Sequence, residues 1–144
     1  MNKRKAKLVK TPQDAISEAK RYFKNAKETL SKSSVEWAAY KDEKCVKEAC
    51  GIGYLATLRA IDAYLLSKGT LPDKLPTSIQ EYERELKKVP HNGKVMTSMR
   101  IVYENLHILG YYRGGVGTGM IKEGFRHAKT IIDTFITLSE DNKK

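Results

Sequence analysis

The chain has 144 residues with 40% apolar content, enough for one domain with a single core and too short for two ordinary domains. Lys and Arg outnumber Asp and Glu by 27 to 17, a formal charge of +10, but Lys3, Arg4, Lys5, Lys7 and Lys10 stand together without an acid. Thr11 to Glu140 holds twenty bases and sixteen acids, so composition excludes a wholly basic nucleic-acid fold and leaves a near-ordinary body behind a basic tail.

No uninterrupted apolar stretch approaches the ~18 to 20 residues of a membrane span, and the basic start has no apolar segment behind it. The expectation is a soluble cytoplasmic protein without a membrane partner. Cys45 and Cys50, five apart on a helix, point about 140° from each other and are expected as reduced, semi-buried thiols. Two Cys and three His at these spacings make no metal cage, and no cofactor is expected.

The domain is expected over 11–138, with flexible ends over 1–10 and 139–144. Thr11 as N-cap, Pro12 at the first helical position and Asp14 behind it open a first helix with the stripe Ala15, Ala19, Tyr22, Ala26, Leu30. Trp37 and Tyr40 are expected to pack the segment that follows. A second helix runs from about Asp42 to Ser67 and stops at Gly69. Its small residues Ala49, Gly53, Ala56, Ala60 and Ala63 recur at helical spacing and let another helix approach closely, within the chain or across a dimer seam.

Ser78 with Glu81 forms a capping box for a short helix, and Pro90, His91, Asn92 and Gly93 end it. A fourth helix runs from Lys94 to about Arg113, with Val95, Met99, Val102, Leu106 and Leu109 as its core stripe. After GGVGTG a fifth helix spans about Gly119 to Leu138. No segment alternates convincingly as a strand. The fold class is all-α: an up-and-down bundle of four long helices plus one short helix.

Opposite the core stripe of the fourth helix, Arg100, Glu104, His107 and Tyr111 recur at four, three and four residues and fall on one narrow strip of a regular α-helix. An Arg that holds a phosphate, a His that moves a proton and a Glu that orients either suit phosphodiester cleavage. The same spacings equally describe an ordinary ion pair on a solvated helix face.

The segments EACGIGYLATLRAIDAYLLSKG, RIVYENLHILGYYRGG and IKEGFRHAKTIID together resemble the HEPN superfamily of helical bundles, and more closely an uncharacterised bacterial branch of it. The resemblance covers about residues 11–138. Many HEPN proteins are ribonucleases acting as dimers, with an Arg followed after four to six residues by a His on a late helix; Arg100 and His107 match with six residues between. The family usually has a polar residue directly after that Arg, where this chain has Ile101. By this resemblance Arg100 would stabilise the scissile phosphate, His107 would act as general acid or base, and Glu104 and Tyr111 would orient them. Other HEPN relatives lack an active motif and serve as binding or partner modules.

Gly117, Thr118 and Gly119, with Arg113 nearby, could form an anion-binding turn at a helix start, although GK[ST] is missing and a helix rather than a strand precedes. The alternative is a glycine hinge with Thr118 as N-cap. His91 and His127 have no partner at useful spacing and are expected at the surface. The leading reading is a non-enzymatic HEPN-like binding or interaction module, expected as a homodimer, with RNA, a nucleotide or a partner protein of nucleotidyltransferase or antitoxin type as candidate partners. The runner-up is a metal-independent endoribonuclease using Arg100 and His107 across a dimer. Arg100 and His107 within reach of each other in a basic cleft would favour the enzyme, and both exposed on a convex face would count against it; for RNA binding, what matters is local convergence of Arg100, Arg113 and Arg126 rather than net charge.

Overall fold

In the computed structural model of the protein, which describes residues 9–141, three helices begin where a short polar side chain takes up a free amide. Thr11 accepts from the Asp14 amide at 3.1 Å and opens α1 (Pro12–Ser31). Asp42 accepts from the Cys45 amide at 3.2 Å and opens α2 (Glu43–Ser67). Ser78 accepts from the Glu81 amide at 3.2 Å and opens α3 (Ile79–Leu86). Glu81 returns to the Thr77 amide at 2.8 Å, so the capping box closes one residue earlier than Ser78 itself. Gly69 at φ +104 ends α2, its amide reaching Leu66 and the Thr70 amide reaching Leu65, as a Schellman stop requires.

Past a single 3₁₀ turn at Pro72–Lys74, α3 and the breaker loop, α4 (Gly93–Val102) continues directly into a π-helical segment, Tyr103–Tyr112. The last helix, α5, spans Thr118–Asp141. The chain is thus mostly helical, as the periodicity predicts. The expected ends differ: Val9 is buried in the core, and α5 continues through Ser139, which is fully buried. The remainder of the basic tail, residues 1–8, lies outside the described residues.

The π segment is the main departure from the expected regular helix. Its i→i+5 ladder widens the turn and shifts the phase of the side chains. Leu109, expected in the core, is 36% exposed, and Gly110 is buried instead.

At the centre of the molecule, α2 packs against α1, α5 and the π segment. Ala49, Gly53, Ala56, Ala60 and Ala63 are all buried there, so the small-residue stripe serves packing within the chain. A Cβ on Gly53 would lie 2.8 Å from the Phe125 ring, and one on Gly124 would lie 2.6 Å from Leu106. By length and composition α2 could cross a membrane, but 67% of its apolar window is buried in the fold. Arg59 and Asp62 also interrupt it.

Those two residues hold a polar network that the sequence reading did not single out. Arg59 donates from Nε to Glu18 at 2.9 Å and from Nη1 to Asp62 at 3.0 Å, joining α1 to α2. Tyr82 donates to the other Asp62 oxygen at 2.8 Å, adding α3. Asp62 is 1% exposed, and these bonds supply the partners its carboxylate needs away from water.

A small hairpin also stands against the strand-free expectation: β1 (Val35–Glu36) pairs antiparallel with β2 (Ala39–Tyr40). Its two turn residues, Trp37 and Ala38, have φ +54 and +60, the positive pair that a two-residue hairpin turn demands. Two residues per strand are too few to alternate visibly. Trp37 does not pack the connection as expected; it is 93% exposed at the hairpin tip, while Tyr40 is buried.

Candidate functional site

Two glycines bring the π segment close to α2. A Cβ on Gly110 would collide with the Cys50 thiol, and one on Gly51 would meet the Tyr111 ring at 3.0 Å. The Tyr111 ring therefore lies over Gly51. Asn105 donates to the Met120 carbonyl at 3.0 Å and fixes the segment to α5 from its other side.

This approach assembles an aromatic cluster around His107. Its imidazole stacks on Tyr54 of α2 with centroids 4.5 Å apart and planes 23° apart. Tyr111 lies nearly parallel to it at 6.1 Å and 11°, and Tyr103 is tilted at 5.3 Å and 34°. Burial lowers the His107 pKa and so favours the neutral imidazole. Burial likewise raises the Tyr54 phenol, with Tyr103 adding to the effect, so both groups are held uncharged.

His107 and Tyr54 line two concavities. One, of about 460 Å³, is walled by Gly51, Ile52, Leu55 and Tyr111, with Glu48 on its edge. The other, of about 380 Å³, is walled by Leu58, Tyr103, Tyr82 and the residues that lead into α3. The first is the more apolar, and its wall residues Leu55 and Tyr111 are 43% and 47% exposed. A neutral imidazole between tyrosines can accept or donate one hydrogen bond and stack on a planar group.

Of the predicted strip, His107 and Tyr111 come together. Arg100 and Glu104 are exposed, and neither side chain makes a hydrogen bond or ion pair with any described residue. The expected Arg100–Glu104 pair is absent among the described residues. Tyr54 and Tyr103, which lie outside the predicted strip, complete the cluster in their place. The distinguishing signal was Tyr103, His107 and Tyr111 at successive spacings of four.

The glycine turn is engaged by backbone pairing. Ala39 bridges to Gly117, the Tyr40 amide reaches the Val116 carbonyl at 2.9 Å, and the Thr118 amide reaches the Ala38 carbonyl at 3.0 Å. Thr118 is not the expected N-cap: it lies inside α5, and its hydroxyl also points to Ala38. Arg113 and Gly115 donate their amides to Ile108 and Leu109, and the Glu43 carboxylate lies where a Gly114 side chain would go. A carboxylate facing the turn opposes an anion there. Gly119 is exposed with open space around it.

His127 also departs from expectation. Its side chain is 15% exposed; Nδ1 is 2.8 Å from the buried Ser98 hydroxyl and Nε2 is 3.1 Å from Glu123, a bridge between α4 and α5. Cys50 is buried and its thiol pushed up to about 12 by burial. Cys45 is free as expected, donating to the Asp42 carboxylate at 3.3 Å.

Residues 14–137 match the family described as a domain of unknown function, DUF5618. The chain belongs to the DUF5618 family. The match runs from the first turn of α1 into α5 and so includes every residue of the aromatic cluster. A solved structure, a protein of unknown function from Dyadobacter fermentans, is similar to this DUF5618 chain at 32% identity and a TM-score of 0.74, covering 88% of this chain and 97% of that one. No curated protein matches this DUF5618 chain.

Proposed function

We propose that this protein is a non-enzymatic, HEPN-like interaction module that forms a homodimer through the groove between α2 and the π segment. The observation that carries this reading is the apolar groove of about 460 Å³ walled by Gly51, Ile52, Leu55 and Tyr111. Large apolar side chains grouped around a concavity are the mark of an interaction surface. A second copy is the occupant that supplies an equally apolar and nearly uncharged face, as a two-fold interface requires. Sedimentation analysis of the purified chain tests this: a dimer is expected, and Leu55→Asp with Tyr111→Glu yields a folded monomer. A monomeric wild type defeats the reading.

A second reading is the metal-independent endoribonuclease with Arg100 and His107 as its pair. It is favoured by one observation, that His107 lines the same groove and is held there as a neutral imidazole, the form that can accept a proton. RNA cleavage by the purified protein that is lost in both His107→Ala and Arg100→Ala supports it. Absent cleavage, or cleavage indifferent to both changes, removes it.

A further inference from the structure

Between α1 and α5, away from the His107 cluster, lies a third concavity of about 380 Å³. Its apolar side is aromatic: Phe23, Phe125 and the buried Tyr40 line it, with the Phe23 and Phe125 rings 6.0 Å apart and tilted by 54°. Two tilted rings offer a face and an edge to a third ring. Apart from Leu30, the rest of the lining is cationic, from Lys27, Lys122, Arg126 and Lys129.

Two of these cations are already matched. Arg126 forms a two-point pair with Glu123 at 2.7 and 3.1 Å, and Lys129 pairs with Asp133 at 2.7 Å. Lys27 and Lys122 have no acidic partner among the described residues, and the Lys27 ammonium stands 5.8 Å over the Phe23 ring. Two uncompensated positive charges above an aromatic floor fit a dianion attached to a ring. The volume is near the lower end of small-molecule pockets, which run from about 300 to 1,000 Å³. It is one concavity rather than a track along which a strand could lie.

We infer that this pocket is a binding site for an aromatic phosphate, a nucleoside monophosphate in size and charge, with its ring against Phe23 and Phe125 and its phosphate held by Lys27 and Lys122. The two α1 contacts, Phe23 and Lys27, are four residues apart and so share one helix face. Lys122 and Arg126 do the same on α5. The Arg126 guanidinium, already oriented by Glu123, can turn one of its remaining N–H groups to a phosphate oxygen. Charge alone would hold any anion; the aromatic floor supplies the preference for one bearing a ring.

Calorimetric titration of the full-length chain with AMP, adenosine, inorganic phosphate and a short oligoadenylate tests the assignment. Saturable binding of AMP is expected, with adenosine and inorganic phosphate each at least tenfold weaker. The double change Lys27→Gln, Lys122→Gln weakens AMP at least tenfold while the thermal melt is retained. Phe23→Leu narrows the preference for AMP over phosphate, and His107→Ala leaves AMP affinity unchanged because it lies in the other site. The assignment is overturned by no AMP binding, by AMP affinity indifferent to the double change, by phosphate binding as well as AMP, or by oligoadenylate binding where AMP does not.

Discussion

Tyr82 donates its phenolic hydrogen to Asp62 at 2.8 Å inside the protein, fastening the short helix α3 to the central helix α2. Removing the hydroxyl leaves one buried carboxylate oxygen without that partner, while the ring keeps its packing. Tyr82→Phe is therefore expected to destabilise the chain by about 1–3 kcal/mol in urea unfolding. A change below about 0.5 kcal/mol would show that water takes over the bond.

The same carboxylate makes stability depend on pH in an unusual direction. Burial pushes the Asp62 pKa from 3.8 up to about 6, outweighing the hydrogen bonds from Tyr82 and Arg59 that pull it down. Between about pH 4 and 6 the folded chain retains a proton that the unfolded chain has released, so this group's contribution falls as pH rises through that window. A displacement of this size corresponds to about 3 kcal/mol. Unfolding measured from pH 4 to 7 should show the decline in wild type and a flatter profile in Asp62→Asn. An unchanged slope in the variant would assign the effect elsewhere.

Glycine positions separate packing from propensity. Ala at Gly124 meets the Leu106 side chain at 2.6 Å, so Gly124→Ala is expected to lower stability by about 1–3 kcal/mol through overpacking. Ala at Gly119 meets nothing within 4 Å, so Gly119→Ala should be neutral or gain up to about 1 kcal/mol from helix propensity. Thermal melts of the two variants should move in opposite directions or differ clearly in size.

Ser98 and His127 test the clasp between α4 and α5. Ser98→Ala removes the 2.8 Å contact to the imidazole and is expected to cost about 1 kcal/mol. Hydrogen exchange should then quicken in the facing turns of these helices more than in α1. Uniform quickening would indicate a loss of global stability alone.

Much of the helix plan was legible because its signals are local. Thr11, Asp42 and Ser78 announce helix starts through hydrogen bonds that span only three residues, and Gly69 announces a stop through its own backbone. The site was legible in part. His107 and Tyr111 do stack on one strip, whereas Arg100 and Glu104 are exposed and take no part in the cluster. Periodicity supposes a constant turn, and the segment that departs from it is the one packed against another helix where Gly51 and Gly110 let Tyr111 and Cys50 approach. Asp62 was hidden for a similar reason: Tyr82, which bonds it directly, and Glu18, which holds its partner Arg59, arrive from distant parts of the chain. The hairpin escaped because its pairing is completed by Val116 and Thr118, far along the sequence.

The hairpin also decides what an optical experiment on this protein can see. Trp37 is the single tryptophan, and it stands in water at the tip of a two-residue turn rather than in the core. Its emission in the native state should already resemble that of a solvated indole, so tryptophan fluorescence will follow the local environment of the tip and register little of the collapse of the helices. Folding of the body is better followed by circular dichroism. The indole in turn becomes a selective reporter of anything that touches the tip.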